Sequence, residues 1–168
     1  MIHVCSLARL HDTVEETGAR HVITLIKETS LVQRPDGIAP ENHLIIDVDD
    51  ITCAMDGYNA PCEQHVARLL DFAKNWDRAA PMVVHCYAGI SRSTASAFAA
   101  ACALNPGRDE VSIAWELRRA SRTATPNALI VSLADRLLGR GGRMIHAVET
   151  IGPGIAATEG VPFRLDLE

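Results

Sequence analysis

Short apolar runs alternate with amphipathic stretches in the first half of the chain. Four runs are typical of buried strands and cover residues 2–5 (IHVC), 21–26 (HVITLI), 43–48 (HLIIDV) and 81–86 (PMVVHC). A polar helical stretch that ends at Gly18 separates the first two runs, and apolar residues at helical spacing between Pro61 and Trp76 precede the fourth. This order predicts an α/β fold with a mostly parallel central sheet of about four or five strands flanked by helices.

The second half of the chain is predicted to be helical almost throughout. Apolar spacing and breaker residues indicate helices over residues 93–104, 109–120 and 127–139, with a shorter one near 142–150. The final eight residues, VPFRLDLE, alternate apolar and polar side chains, so this tail either lies extended against the body or is loose. We therefore divide the chain into a single domain, residues 1–152, and a C-terminal tail, residues 153–168.

Composition limits the classes of function. The chain has 168 residues, of which 48% are hydrophobic and only 4% aromatic, so the core must be built mainly from Leu, Ile, Val and Ala. A net charge of −5 gives no basic stripe, which argues against a general nucleic-acid binder. The start of the chain lacks the pattern of a signal peptide, and no apolar stretch is long enough for a membrane span. A cytoplasmic protein is expected, and nothing in the sequence indicates its oligomeric state.

The five cysteines do not form a recognisable framework. Their spacing is irregular and matches neither a disulfide scaffold nor a zinc-binding pair, so no metal or cofactor is expected. Cys5 and Cys102 are expected to be small buried hydrophobes. Cys53 and Cys62 are expected to be ordinary free thiols, with the alternative that one of them caps an oxidised Cys86 as a disulfide.

One strand-to-helix junction carries candidate chemistry. Cys86 follows an apolar run, and Arg92 stands six residues later, just before a predicted helix. The backbone N–H groups of such a loop and the helix dipole form a cradle for an anion and stabilise a nucleophilic thiolate. Gly89 keeps the loop free of side-chain bulk, and Arg92 offers a planar fork for two oxygens of a phosphoryl group. These residues suit phosphoryl transfer to sulfur.

The segment HCYAGISRS, residues 85–93, resembles the HCxxGxxRS signature of the cysteine-dependent protein tyrosine phosphatase superfamily. It is most similar to the dual-specificity-phosphatase-like branch and its short bacterial members. The segment TATPN, residues 123–127, resembles a Pro-Asn segment in the helical half of that branch. The resemblance implies a protein tyrosine phosphatase-like fold and hydrolysis of phosphomonoesters through a phosphocysteine intermediate.

The resemblance also implies a role for each matching residue. Cys86 would attack phosphorus in line, while Arg92 and the loop N–H groups hold the transferring oxygens. The implied substrate-binding residues are Tyr87, Ala88, Gly89, Ile90, Ser91 and Arg92. Ser93 would donate a hydrogen bond to the departing thiolate, and His85 would hold the loop in place. Asn127 stands at a helix start, where it is first of all a cap, and the resemblance adds a bracing role beside the phosphate loop.

Such a reaction needs a general acid for the leaving group, and the resembling branch supplies an aspartate on a loop before the cysteine. The candidates in this chain are Asp47, Asp49, Asp50 and Asp56. Strand alternation places Asp47 and Asp49 on one face of the strand, so Asp50 begins the loop and is the expected acid. Asp49 is the alternative, and each of these side chains can also be a solvated loop carboxylate.

Two other functions compete with the phosphatase. A rhodanese-type sulfurtransferase also carries a cysteine in an anion-binding loop, and a phosphate-binding regulatory module would use the same cradle without turnover. The expected substrate is a phosphorylated protein, bearing phosphotyrosine or with dual specificity, or a small phosphomonoester. The loop residues between Cys86 and Arg92 carry no cation, which disfavours highly phosphorylated inositol lipids. Tyr87 and the RPDG segment, residues 34–37, are candidates for the rim.

Overall fold

All four strands predicted from the apolar runs are present in the computed structural model, which describes residues 1–167. The strands are β1 (Ile2–Ser6), β2 (His21–Leu25), β3 (His43–Ile46), β4 (Met82–Cys86) and β5 (Phe163–Leu165). They form one sheet in the order β3-β2-β4-β1-β5. The first four strands are parallel, and β5 runs antiparallel to β1 at the edge. The predicted α/β fold with a mostly parallel sheet is therefore confirmed.

The helices lie close to their predicted positions. They are α1 (Leu10–Thr17), α2 (Glu63–Asn75), α3 (Arg92–Leu104), α4 (Glu110–Ala120), α5 (Ala128–Leu137) and α6 (Arg143–Ile151). Helix α1 ends at Gly18, whose φ of 67° lies in the left-handed region that glycine adopts without strain. Side chains at Asp109 and Asn127 cap α4 and α5 by accepting hydrogen bonds from backbone N–H groups of the first turn. Local cap chemistry therefore explains these boundaries.

Helices cover both faces of the sheet. Helix α1 packs on one face with a small apolar cluster that includes Val14, Val22 and Val83. The larger core lies on the opposite face, where α3 is packed against β4 and against helices α2, α4 and α5. Every residue of α3 from Arg92 to Cys102 is buried. Its many alanines allow the neighbouring elements to approach closely, which is why a core with few aromatic residues can be filled.

The segment after α6 joins the sheet. Of the two alternatives for the tail, the extended one is observed, because Phe163 and Leu165 are buried and pair with Val4 and Ile2 of β1. In contrast, β3 ends at Ile46, two residues before the end of the apolar run that predicted it. Val48 remains buried after the strand has ended. Within residues 1–167, no helix has the length and apolar character needed to cross a membrane.

The sheet topology brings three strand ends together. In the parallel register, Cys86 at the end of β4 pairs with Ser6 of β1 on one side and with Leu25 of β2 on the other. The loops that follow these strands therefore converge at one edge of the sheet, where ligands of open α/β folds bind. Cys86 lies at the centre of that edge.

Candidate active site

The loop between β4 and α3 surrounds the sulfur of Cys86. The side chain is buried, with 1% of its surface exposed, and the backbone N–H of Gly89 donates to Sγ at 3.3 Å. Ser93 in the first turn of α3 places its hydroxyl oxygen 3.1 Å from the same sulfur. Two hydrogen-bonding groups and the amino end of α3 thus face Sγ, which is the environment that stabilises a thiolate.

Gly89 is required by the geometry of this loop. Its φ of 72° lies in the left-handed region, and a Cβ added there would come within 2.8 Å of the backbone of Cys5 and Ser6. The loop therefore turns tightly against the end of β1. A larger residue would push the loop away from the strand, and the backbone N–H beneath Cys86 would move with it.

The guanidinium of Arg92 is held at one edge, and the opposite edge carries a donor without a partner in the described part of the chain. The group is about nine-tenths buried, and Nη1 donates to the carbonyl oxygen of Val48 at 2.8 Å. Nε is buried and has no hydrogen-bond partner within residues 1–167. Because Nε and Nη2 form the side-on edge of the fork, Arg92 presents the edge that binds two oxygens of a phosphate or carboxylate.

His85 is part of a buried polar chain. Its Nε2 lies 2.6 Å from the hydroxyl of Thr24 in β2, and that hydroxyl lies 2.8 Å from Nε2 of His43 in β3. Burial lowers the pKa of His85 to about 3, so the ring is neutral at physiological pH. The ring is oriented by Thr24 and stays uncharged, which suits a positioning group rather than a proton acceptor.

Asp50, the predicted acid, lies beside the loop between β4 and α3. Its Oδ1 accepts hydrogen bonds from the hydroxyl of Ser91 at 2.7 Å and from Nδ2 of Asn127 at 2.9 Å. Asn127 in turn accepts from the N–H groups of Leu129 and Ile130 and so caps α5 while it holds Asp50. One asparagine therefore caps α5 and also contacts Asp50.

Asp49 is engaged on the other side of the same loop. Its Oδ2 accepts from the backbone N–H of Asn59 at 2.6 Å and lies 3.3 Å from the ammonium of Lys27. The Asn59 N–H, with the Lys27 charge, holds the pKa of Asp49 below its usual value. The side chain of Asp49 is therefore engaged by Asn59 and Lys27, whereas that of Asp50 contacts Ser91 in the loop after Cys86. Asp47 and Asp56 are exposed.

Large exposed apolar side chains lie in the loops that follow Cys86 and Asp50. Tyr87 is 64% exposed, and Met55 and Tyr58 of the loop after Asp50 are about half exposed. The ammonium of Lys27 is already occupied, because it contacts Asp49, donates to the carbonyl oxygen of Gly57 at 2.9 Å and lies 5.4 Å from the centre of the Tyr58 ring. The rim formed by Tyr87, Met55 and Tyr58 therefore offers aromatic and aliphatic surface and no free cation among these residues and Lys27.

The remaining cysteines lie outside this arrangement. Cys53 and Cys62 are exposed free thiols, and Cys62 stands at the amino end of α2, where its sulfur is 3.3 Å from Nδ1 of His65. Cys5 and Cys102 are buried, and burial raises the pKa of each thiol to about 12. Among residues 1–167, no three His, Cys, Asp or Glu side chains are grouped in a way that could hold a metal ion.

Sequence reasoning missed the partners that come from distant segments. Thr24 and His43 belong to strands that carry no recognisable motif, and Lys27 lies in the loop after β2. Gly160, from the segment after α6, donates its N–H to the carbonyl oxygen of Ala88 in the phosphate loop. These residues are brought to the site only by tertiary contacts, which depend on the sheet order and on the path of the segment after α6.

Comparisons with known proteins identify the fold. No protein-family model matches the sequence, and no curated protein matches it significantly. The crystal structure of Cydia pomonella PTP-2 phosphatase is similar at 18% identity and a TM-score of 0.62, over 80% of this chain and 84% of that chain. That of DUSP15 is similar at 18% identity and a TM-score of 0.62, over 89% and 90%. PTPMT1 in complex with PI(5)P gives 15% identity and a TM-score of 0.62, over 83% and 91%. This chain therefore has the protein tyrosine phosphatase-like fold that its signature segment implied.

Proposed function

We propose that this protein is a cysteine-dependent phosphatase that hydrolyses phosphomonoesters through a phosphocysteine intermediate. The proposal rests on two groups at the ends of one loop. Nε of Arg92 is buried and has no hydrogen-bond partner within the described chain, and the sulfur of Cys86 is hydrogen-bonded. A buried guanidinium edge without a partner is costly unless an anion fills it. A phosphoryl group supplies two oxygens that match such an edge.

In the first step, the Cys86 thiolate attacks phosphorus and the bond from phosphorus to the leaving oxygen breaks. Arg92 and the loop N–H groups hold the non-bridging oxygens, where charge is spread in the transition state. Asp50 gives its proton to the leaving oxygen. Because Ser91 and Asn127 both hold Oδ1, the other oxygen of this carboxyl group is the atom left to carry the proton.

In the second step, water attacks the phosphocysteine and the phosphorus–sulfur bond breaks. Asp50, now ionised, accepts a proton from the attacking water. The hydroxyl of Ser93, 3.1 Å from Sγ, donates a hydrogen bond to the thiolate as it departs. Inorganic phosphate and the free thiolate of Cys86 are then regenerated without an oxidant or a reductant.

The rim supports a phosphoprotein substrate, with phosphotyrosine or mixed specificity. Tyr87, Met55 and Tyr58 offer apolar surface on which an aromatic leaving group can pack. The crystal structure of PTPMT1 with PI(5)P shows that one protein of this fold binds a phosphoinositide. Here the loop from Tyr87 to Ser91 carries no cation, and Lys27 is paired with Asp49. Additional phosphate groups on a substrate would therefore lack cationic partners.

Metal-free hydrolysis of para-nitrophenyl phosphate and of a phosphotyrosine peptide across pH tests the proposal. Cys86→Ser should abolish turnover. Asp50→Asn should lower kcat by about 10²-fold or more with phosphotyrosine, and by less with the nitrophenyl ester, whose more acidic phenol needs little protonation. Asp56→Asn, an exposed carboxylate in the same loop, is the matched control and should behave as the parent.

Four outcomes would contradict the proposal. A parent protein that binds phosphate or vanadate without turnover would be a binding module, whereas formation of a persulfide with thiosulfate would indicate a sulfurtransferase. If Asp50→Asn and Asp56→Asn had the same kcat with phosphotyrosine, the acid would have to be another group. Full turnover in Cys86→Ser would exclude the phosphocysteine.

A further inference from the structure

The carbonyl groups of the loop between Cys86 and Arg92 accept hydrogen bonds from three separate parts of the chain. Four backbone N–H groups make these bonds at 2.8–3.3 Å: Leu7 to Tyr87, Gly160 to Ala88, Thr125 to Ile90 and Asn127 to Ser91. Three of the donors lie in segments that flank the sheet edge or precede α5. The fourth, Gly160, lies in the segment after α6 that the sequence separates as a tail.

Gly160 holds the peptide plane that faces the nucleophile. In a trans peptide the C=O and the following N–H point in opposite directions, and the structure contains no cis bond among the described residues. The carbonyl of Ala88 accepts from Gly160 at 2.8 Å, and the N–H of the same peptide, on Gly89, donates to Sγ of Cys86 at 3.3 Å. The outward bond from Gly160 therefore accompanies an inward N–H on Gly89, which points toward the sulfur of Cys86.

The close approach at this point depends on glycine. A Cβ added to Gly160 would lie 2.9 Å from the carbonyl oxygen of Gly89 and 3.4 Å from Cγ1 of Ile90. The φ of Gly160 lies outside the left-handed region, so an alanine would be opposed only by this contact. Since the obstructing atom is backbone, relief requires the phosphate loop or the tail to move.

The tail is anchored on both sides of Gly160. Before it, the carboxylate of Glu159 accepts a hydrogen bond from the hydroxyl of Ser6 at 2.5 Å, and Ser6 is the register partner of Cys86. After it, β5 pairs with β1. These two contacts, one on each side of Gly160, fix the position from which its N–H donates to the carbonyl oxygen of Ala88.

We propose that the C-terminal segment, residues 153–167, contributes to anion binding at the phosphate site, with Gly160 as the positioning residue. Its N–H orients the peptide between Ala88 and Gly89 so that the Gly89 N–H points at Cys86 and at the transferring oxygens. This inference rests on the proposed function. It assigns a role in anion binding to a segment that lies outside the signature and about 70 residues beyond it.

Gly160→Ala is the test variant, and Gly107→Ala is its matched control. Gly107 lies between α3 and α4, has no positive φ, and a Cβ there would meet no atom within 4 Å. For each protein we would measure the inhibition constant for inorganic phosphate, kcat and KM with para-nitrophenyl phosphate, and the pH dependence of Cys86 alkylation by iodoacetate. Thermal unfolding followed by circular dichroism shows whether each variant is folded.

In Gly160→Ala the inhibition constant for phosphate should rise about tenfold, with a comparable loss of kcat/KM, because one preorganised donor is misdirected. Alkylation should require a higher pH than in the parent, since the thiolate loses its N–H partner. Gly107→Ala should match the parent within about twofold. These readouts report on the site, so a purely structural role for the tail would not change them in a folded protein.

A folded Gly160→Ala protein with parental phosphate affinity and a parental alkylation profile would overturn the inference. If that variant does not fold, Glu159→Ala decides the matter with the same readouts, because it removes only the exposed side-chain anchor on Ser6. Unchanged phosphate affinity and alkylation in Glu159→Ala would then refute the role of the tail. Failure of the proposed function looks different, because the parent protein itself would bind no phosphate or show no turnover.

Discussion

Replacing Thr24 by valine removes the hydroxyl that joins two histidines. The hydroxyl oxygen lies 2.6 Å from Nε2 of His85 and 2.8 Å from Nε2 of His43. A hydroxyl has one proton and two lone pairs, so Thr24 can donate to only one of the two rings, and any other bond it makes to them is one that it accepts. Valine has nearly the same shape, so Thr24→Val removes the hydrogen bonds and leaves the packing of this fully buried position in place.

The expected loss of stability follows from the burial of His85. The ring is 0% exposed, so its Nε2 would be left without a partner and without water. An unsatisfied buried polar group costs about 1–3 kcal/mol, and His43, which is only half-buried, can regain water. We expect the free energy of unfolding to fall by about 2 kcal/mol, which for a chain of this size lowers Tm by about 4–8 °C.

Thermal unfolding with Thr150→Val as the control tests this reasoning. Thr150 is exposed on α6, and its hydroxyl donates to the carbonyl oxygen of His146, so this control loses an ordinary helix-surface hydrogen bond. Its free energy of unfolding should change by no more than about 0.5 kcal/mol. Thr24→Val should also lower kcat/KM, because His85 directly precedes Cys86. Equal Tm values for the two variants would show that the Thr24 hydroxyl does not satisfy His85.

Further predictions concern the pH dependence of stability, the hydrolysis of the phosphocysteine, and the residues at and around Asp50. The pKa of His85 is about 3 in the folded protein and near 6.5 when unfolded, so only the unfolded state gains this proton as the pH falls between those values. The free energy of unfolding should therefore decrease by about 1.4 kcal/mol per pH unit from pH 6.5 toward 3, as measured by urea titration; a flat profile would contradict a buried neutral ring. Ser93→Ala should accumulate phosphocysteine, seen as a burst of nitrophenol before slow turnover, and a parental rate without a burst would refute its role. Asn127→Ala should lose about 1 kcal/mol of stability with the α5 cap, and kcat should fall because Asp50 loses a donor. Asp49→Asn should retain far more activity with phosphotyrosine than Asp50→Asn. If Asp50→Asn were the more active variant, Asp49 would be the general acid.

The sheet could be predicted because its signals are local. Continuous apolar runs such as MVVH at β4 are typical of strands buried on both faces, and breakers such as Gly18 mark helix ends in the sequence itself. The position of Cys86 at a strand-to-helix junction then follows from the pattern, and so does the cradle around it. Strand alternation also selected the aspartate that the structure places beside Ser91.

The remaining parts of the site depend on contacts between distant residues. Alternation separated Asp49 from Asp50, but it could not show that Lys27 and Asn59 engage Asp49, because those contacts require the loop to fold back on itself. Thr24 is 61 residues from His85, and only the pairing of β2 with β4 brings them together. Nothing in a threonine within an apolar run marks it as a histidine partner.

The orientation of peptide planes explains why a signature of nine residues is not a complete site. An anion cradle needs inward N–H groups, and an inward N–H needs an outward carbonyl that is itself hydrogen-bonded, since a buried carbonyl without a partner would cost stability. In this protein those outer partners are backbone N–H groups at Leu7, Thr125, Asn127 and Gly160. Backbone donors leave little trace in the sequence, except where close approach demands glycine, as at Gly160. The signature therefore specifies which atoms would react in the proposed mechanism, whereas the fold around it specifies where their hydrogen bonds point.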